Sequence, residues 1–481
     1  MSRLGPAPSR TPRITNEVLD HATYPQIFLD HQSRGHRPRP DMQTPKGTMT
    51  MKKSSQGQPV LPRGRAVVGI DIGKGKHAAT ALSPQGEVVA QLASFPNTRQ
   101  GVDQLEQEAL RKVGGPGKVL VGMEATGHYW MCQYHELMRR GYACVVFNPL
   151  QTNARSRACI RKTRNDKIDS RTIARLVLSG EAKATRVPDV KITELRLLVR
   201  HRHRLLQAAG DMERYAHTLV DRIFPEYAGI FCRPFLPSAQ KLIRQIGIAP
   251  EKLVKNAEQA RELLRIAGRK QIAAEKIEQL LKAAQESIGI RQAEDVIEGQ
   301  LRSIFDYLDT VRQQIADIDQ QLDKRAHELD SPLYSLGITS PMVAAIHAES
   351  DPISDFATPE QYVAYTGLDP SWHESGDTIE WRGKISKRGS PLLRSTLYLV
   401  AFAIHRRHEY FLRIYRKHRA KGKKHSNALV IVARRLARVI WRLLTDDRGF
   451  TKRAPKPAPP SDKPRTSAKS TNTRKVAKAG V

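Results

Sequence analysis

The spacing of apolar positions changes twice along the chain. Ala66–Ile72 is a continuous apolar run that contains one carboxylate, Asp71, near its end, and strand-like composition recurs at 79–82 and 87–92 on either side of Ser83, Pro84, Gln85 and Gly86, a turn signal. A helical stretch over about 99–113, a buried-looking strand at Val119–Glu124, a helix opening near Gly127, a strand at Ala143–Phe147 and helices after Pro149 follow. Strands that first form a hairpin and then alternate with helices predict a mixed α/β sheet with helices on its faces. From about Ile192 to Leu329 strand signals nearly vanish. There Ile304, Leu308, Val311, Ile315, Ile318 and Leu322 alternate steps of four and three, a heptad-like seam that suits either an intramolecular helical hairpin or a dimeric coiled coil. Shorter helices and loops return from Ser331, and Asn427–Leu444 is amphipathic, with Leu436, Val439, Ile440 and Leu443 on one face and Arg434, Arg438 and Arg442 on another.

Charge adds a partner to this outline. The 481 residues include 80 Lys+Arg against 48 Asp+Glu, a formal charge of +32. Residues 1–65 carry +7 and residues 451–481 carry +8, which leaves +17 for the part that folds. Both tails are too poor in large apolar residues to offset ordering entropy and are expected to be disordered, while Met42, Met49 and Met51 offer internal starts just before the first strand. No apolar run is long enough for a membrane span, and the N-terminus lacks the apolar core of a signal peptide. Cys132, Cys144, Cys159 and Cys232 form no CxxC pair, which argues against a zinc ribbon or disulfide scaffold and suits a reducing cytoplasm. A surplus of this size makes a polyanion the leading partner, because Lys and Arg displace the counterions condensed on nucleic acid.

Four acids occupy positions that chemistry can use. Asp71 and Glu124 end strands, and Asp166 and Asp169 lie three apart on one face at the start of a helix. Functional groups collect at strand ends in open α/β sheets, and converging carboxylates favour Mg²⁺, a hard cation that takes oxygen ligands. Each acid alone is more simply a solvated, capping or ion-paired group; their order within a basic protein is what raises the chemical reading.

Val68–Lys74, Glu124–Gly127, Asn148–Pro149 and Asn165–Ser170 together resemble the N-terminal region of the DEDD transposases of the insertion-sequence-110 family, whose domain is RuvC-like with an RNase H-like fold. The resemblance implies that Asp71, Glu124, Asp166 and Asp169 are the metal ligands. A second segment, 365–378 followed by 383–394, resembles the family's C-terminal domain, in which a serine of a Pro-Ser-x-x-x-Ser-Gly segment is the nucleophile. Register gives that role to Ser375, in what reads as a polar loop, with Ser371 as rival; Lys384, Lys387, Arg388 and Arg394 supply nearby cations for a phosphate. Asp377 departs from the pattern, standing where a second glycine is expected, and the central helical region is long. Leu336–Ala345 is similar to a helix-hairpin-helix, though without its usual second glycine.

The fold class expected is therefore α/β plus all-α. The divisions are a basic tail to 64, a RuvC-like DEDD domain at 65–185, a helical coiled-coil linker at 186–330, a mainly helical serine transposase domain at 331–450, and a second tail at 451–481. The resemblance implies a transposase and site-specific recombinase that cuts and exchanges strands of double-stranded DNA at element ends and target with Mg²⁺. It also implies guidance by a structured bridge RNA, which the basic segment containing Arg155, Arg161, Lys162 and Arg164 suits. A homodimer assembling to a tetramer in the bacterial cytoplasm, close to the nucleoid, fits strand exchange between two duplexes. A metal-only, structure-selective nuclease of the Holliday-junction type and a non-enzymatic basic RNA-binding or architectural protein are the rival classes.

Overall fold

The computed structural model describes residues 64–149, 151, 166–231, 235–266, 273–375 and 378–451, with backbone alone at 166–168, 266, 372–375 and 378–383. The tails and Arg155, Arg161, Lys162 and Arg164 lie outside the described residues.

The expected sheet is present. β1 (Ala66–Ile72), β2 (Lys76–Leu82), β3 (Val88–Pro96), β4 (Val119–Glu124) and β5 (Ala143–Phe147) stand in the order β3-β2-β1-β4-β5. The first three strands are antiparallel, and β4 and β5 run parallel to β1. α1 (Arg99–Leu105), which continues through a π turn and a 3-10 turn to Val113, packs with α2 (Trp130–Arg139) on one face. The helix expected near Gly127 opens three residues later, where the Trp130 indole donates to the Gly127 carbonyl at 3.2 Å.

α3 (Asp166–Leu178) covers the other face. Two strand glycines set how closely it lies. A Cβ on Gly69 would stand 2.3 Å from the Ala174 backbone nitrogen and 2.5 Å from the Ser170 carbonyl oxygen, and one on Gly122 would stand 2.5 Å from Val177. A glycine inside a strand often marks such an approach of backbone on backbone. The buried hydroxyls of Thr80 and Ser170, 2.8 Å apart, fasten the same contact from β2.

The heptad seam lies within one chain. α4 (Val190–Ile223), begun by the Asp189 carboxylate accepting from the Ile192 amide at 2.9 Å, runs antiparallel to α9 (Glu294–His327). Ile304, Leu308, Val311, Ile315, Ile318 and Leu322 are all buried in the cores that the two helices share. Between them α5 (Pro237–Gln245), α6 (Pro250–Lys255), α7 (Ala257–Ile266) and α8 (Ala274–Gln285) cap the distal half of the pair. Two polar clamps interrupt this apolar seam. Arg202, buried on α4, grips Asp319 through two nitrogens at 2.5 and 3.1 Å. Glu298, 1% exposed, accepts from the amides of Ile248 and Ala249 at 2.9 and 3.0 Å and from Lys252 at 2.8 Å.

A third core gathers α10 (Ser340–Ser350), α11 (Pro359–Thr366), α12 (Pro391–Ile404), α13 (Glu409–Ala420) and α14 (His425–Asp446). It is joined to α4 by Arg200 on the buried Glu349 at 2.8 Å and by Arg196 on the Ala348 carbonyl at 2.7 Å. The segment that resembles a helix-hairpin-helix is a 3-10 turn followed by α10. Gly337 turns the chain at φ 68° between a short 3-10 helix and α10, but the Ser340 hydroxyl at the start of α10 donates to the Asp323 carboxylate, which makes that helix end a poor seat for a phosphate. His347, half-buried beside the Ser331 hydroxyl at 2.8 Å, has its pKa lowered to about 4 by desolvation.

Two stability outcomes follow. Glu298→Ala leaves two amides without their acceptor and Lys252 with Asp295 alone, and should cost about 3–5 kcal/mol in urea unfolding. The unfolded chain binds a proton at position 347 near pH 6.5 that the folded chain refuses until about pH 4. Stability contributed at this site is therefore lost as pH falls through that window, and His347→Gln should flatten the corresponding part of the profile of unfolding midpoint against pH.

Candidate active site

The parallel pairing of β1 and β4 puts Ile70 beside Met123, so the next residues, Asp71 and Glu124, fall side by side on neighbouring strands. Val67 and Gly69 point to the α3 face, as do Leu120 and Gly122, and the alternation of strand side chains carries Asp71 and Glu124 onto that face as well. Across β1, Asp71 is opposite Ala78, a side chain too small to cover it. Both acids are half-buried. The Thr126 hydroxyl lies 3.5 Å from a Glu124 oxygen.

α3 supplies the other two acids. Asp169 directly precedes Ser170, the residue that touches Thr80 and Gly69, and is itself half-buried. Asp166 opens the helix one turn earlier, with its side chain outside the described residues. Among the described residues, no group of three or more His, Cys, Asp or Glu side chains closes to metal-binding range. What the backbone does bring together is Asp71, Glu124 and the first turns of α3, an all-oxygen donor set at strand ends whose chemistry fits a hard divalent cation.

The serine segment differs from the expected loop. β6 (Pro370–Ser375) and β7 (Thr378–Ile385) form a two-stranded hairpin in which Ser375 pairs with Thr378, so Ser375 ends a strand at the tip. Its side chain lies outside the described residues. Ser371 sits near the base, where its hydroxyl donates to the Lys384 carbonyl at 2.7 Å. The base is locked by contacts that sequence reasoning missed. Ser386 donates to the Asp369 carboxylate at 2.5 Å and, through its amide, to the Asp369 carbonyl at 2.8 Å. Gly367 (φ 69°) and Gly389 (φ 82°) interlock: a Cβ on the first would stand 2.0 Å from the Arg388 carbonyl oxygen, and one on the second 1.8 Å from that of Tyr365. The clue was available in the glycines that bracket the segment.

The four nearby cations divide. Lys384, Lys387 and Arg388 are exposed, and none forms an ion pair among the described residues. Lys387 holds a left-handed φ of 54°, an uncommon conformation for lysine. Arg394, on α12, is half-buried with Nη1 closed off from solvent and without a hydrogen-bond partner among the described residues, 2.9 Å from where a Gly367 side chain would stand.

Acids on a mixed sheet, joined by a helical arm to a separate core that carries a serine hairpin, make a two-centre α/β and helical protein. The family model for DEDD transposases of the IS110 type matches residues 68–225, and the model described as transposase IS116/IS110/IS902 family matches 335–416. The chain belongs to the IS110 family of transposases. It is 25% identical over 415 residues to an insertion element IS116 uncharacterized 44.8 kDa protein of Streptomyces clavuligerus, which covers 82% of this chain and 97% of that protein. It is also 28% identical over 101 residues to the pilin gene-inverting protein of Moraxella lacunata, a match spanning 21% of this chain and 31% of that protein. An insertion element IS110 uncharacterized 43.6 kDa protein of Streptomyces coelicolor is 28% identical over 157 residues, 32% of this chain and 38% of that protein. No described helix is long and apolar enough to cross a membrane.

Gly69→Ala should force α3 away from β1, lowering the unfolding free energy by about 1–3 kcal/mol and cutting any metal-dependent activity further than that loss explains. Circular dichroism melting and a cleavage assay measure the two effects.

Proposed function

We propose that the chain is the recombinase of an insertion sequence, cutting and exchanging DNA strands with a serine nucleophile and a carboxylate-held divalent cation. The observation that carries this reading is the register that sets Asp71 beside Glu124 on the face covered by α3. With its strand order, we read residues 65–185 as an RNase H-like, RuvC-like domain, 186–330 as the helical arm, and 331–450 as the serine domain.

In this reading the Ser375 oxygen attacks a DNA phosphorus. The new Oγ–P bond replaces the P–O3′ bond, the serine gives up its proton, and the departing 3′ oxygen gains one. The resulting 3′-OH then attacks a phosphoserine in another strand, restoring the serine and joining the strands. Lys384, Lys387 and Arg388 pair with no carboxylate among the described residues and suit the non-bridging phosphate oxygens, while Arg394 lies beneath the hairpin base beside Gly367. Ser371 is occupied with the Lys384 carbonyl, which favours Ser375. Asp71, Glu124, Asp166 and Asp169 would hold Mg²⁺, whose chemistry is to neutralise charge building on phosphate oxygens.

The partners we assign are double-stranded DNA at element ends and target, and a structured bridge RNA reached through Arg155, Arg161, Lys162 and Arg164. An even assembly, a dimer pairing to a tetramer, matches two duplexes exchanged at once.

Ser375→Ala should abolish both the covalent protein–DNA adduct on denaturing gels and strand cleavage, by about 10³-fold or more, whereas Ser371→Ala should keep the adduct. Cleavage that persists in Ser375→Ala without any adduct would identify a metal-only nuclease instead. Asp71→Asn should lower cleavage by roughly 10²–10³-fold and weaken Mn²⁺ binding measured by calorimetry.

A further inference from the structure

Half of the basic side chains described on the helical arm, ten of 20, are matched by acids. Arg244 meets Asp306 and Asp309, Arg261 meets Glu258 and Glu278, and Arg325 meets Glu194. The α14 stripe follows the same rule in part, since Arg438 pairs with Glu360 and Arg442 with Asp446. The hairpin from α13 into α14 does not. Arg413, Arg416, Lys417, Arg419, Lys421 and Lys423 are all exposed, none is ion-paired among the described residues, and α13 carries a single acid, Glu409, at its far end. The dipole at the end of α13 accounts for one or two such cations and leaves the rest unexplained.

The crowding is visible in the groups beneath. Burial together with Lys421, Lys423, Lys417 and Arg434 lowers the pKa of His418, and burial with Arg438 and Arg435 lowers that of Arg434. The scaffold is fixed. Phe411 is fully buried, Tyr415 and His425 hydrogen-bond at 2.7 Å, and Arg419 donates to the Lys423 carbonyl at 2.7 Å across a turn made by Gly422 at φ 75°. From Arg413 to Lys421 the helix advances about 12 Å. That length of duplex axis carries roughly seven phosphate charges.

We propose that this hairpin is a docking surface for the phosphate backbone of duplex DNA outside the cleavage point, read without regard to sequence; the choice of DNA as occupant rests on the function proposed above. Like charges held close cost stability unless a polyanion meets them, and each cation so used releases counterions from DNA.

The test is binding of the full chain to a duplex of unrelated sequence across a series of salt concentrations. Replacing Arg416, Lys417, Lys421 and Lys423 together by alanine should make the slope of log affinity against log salt shallower by about 3–4, at roughly 0.9 per charge. The tails are common to both proteins and cancel. A variant with Arg416→Lys, Lys417→Arg, Lys421→Arg and Lys423→Arg should keep the original slope. Should the quadruple variant fail to fold, Lys421→Gln with Lys423→Gln in the exposed turn should still remove about 2. An unchanged slope in the folded variants overturns the proposal, as does a loss confined to structured RNA with duplex binding intact. Ser375→Ala should retain the wild-type slope, so failure of the serine chemistry and failure of this surface give different results.

Discussion

The rest of the sheet domain depends on how closely one helix can lie on β1. At Gly69 the backbone of α3 comes nearer than any side chain would permit, and at Gly122 Val177 fills the space that a Cβ would need. That closeness brings Asp169 to the level of the strand ends where Asp71 and Glu124 stand. Had either strand position carried a methyl group, the carboxylates of the helix would be lifted away from those of the sheet. The approach of the helix to the strand ends is thus specified by two missing side chains.

The arm obeys a different logic. Its apolar seam sets that α4 and α9 pair, and its polar clamps favour one register of that pairing. Arg202 on Asp319 and Glu298 on the turn before α6 are buried charges with little to gain in net stability, yet a slipped register would leave each uncompensated. At the proximal end, Arg196 and Arg200 hold α10, so the C-terminal core is fastened to the first three turns of α4.

Much of this was legible in the chain. Apolar runs marked the buried strands β1, β2, β4 and β5 because buried strands leave a continuous signal, the turn after β2 marked the largely exposed β3, and the step pattern from Ile304 to Leu322 marked the seam. The acids at strand ends were legible for the same reason. The β6–β7 hairpin was not, since Ser371 to Lys384 is a polar, short pair whose strands are held by Asp369, Ser386 and two interlocking glycines, contacts between residues far apart in sequence rather than a local apolar period. The arginine stripe of α14 was visible but its meaning was not, because only the fold shows that Glu360 and Asp446 neutralise two of its members and that the unpaired charge lies on the preceding helix.

The length of α4 acquires a further meaning from where it is fastened. Its 34 residues extend about 51 Å, yet the sheet domain and the C-terminal core both attach near its beginning. The distal part instead packs with α5–α8 and takes no part in either attachment. Paired removal or insertion of whole heptads in α4 and α9 would alter the reach of the arm without touching either attachment. Length in this region is set apart from the contacts that hold the sheet domain and the C-terminal core to α4.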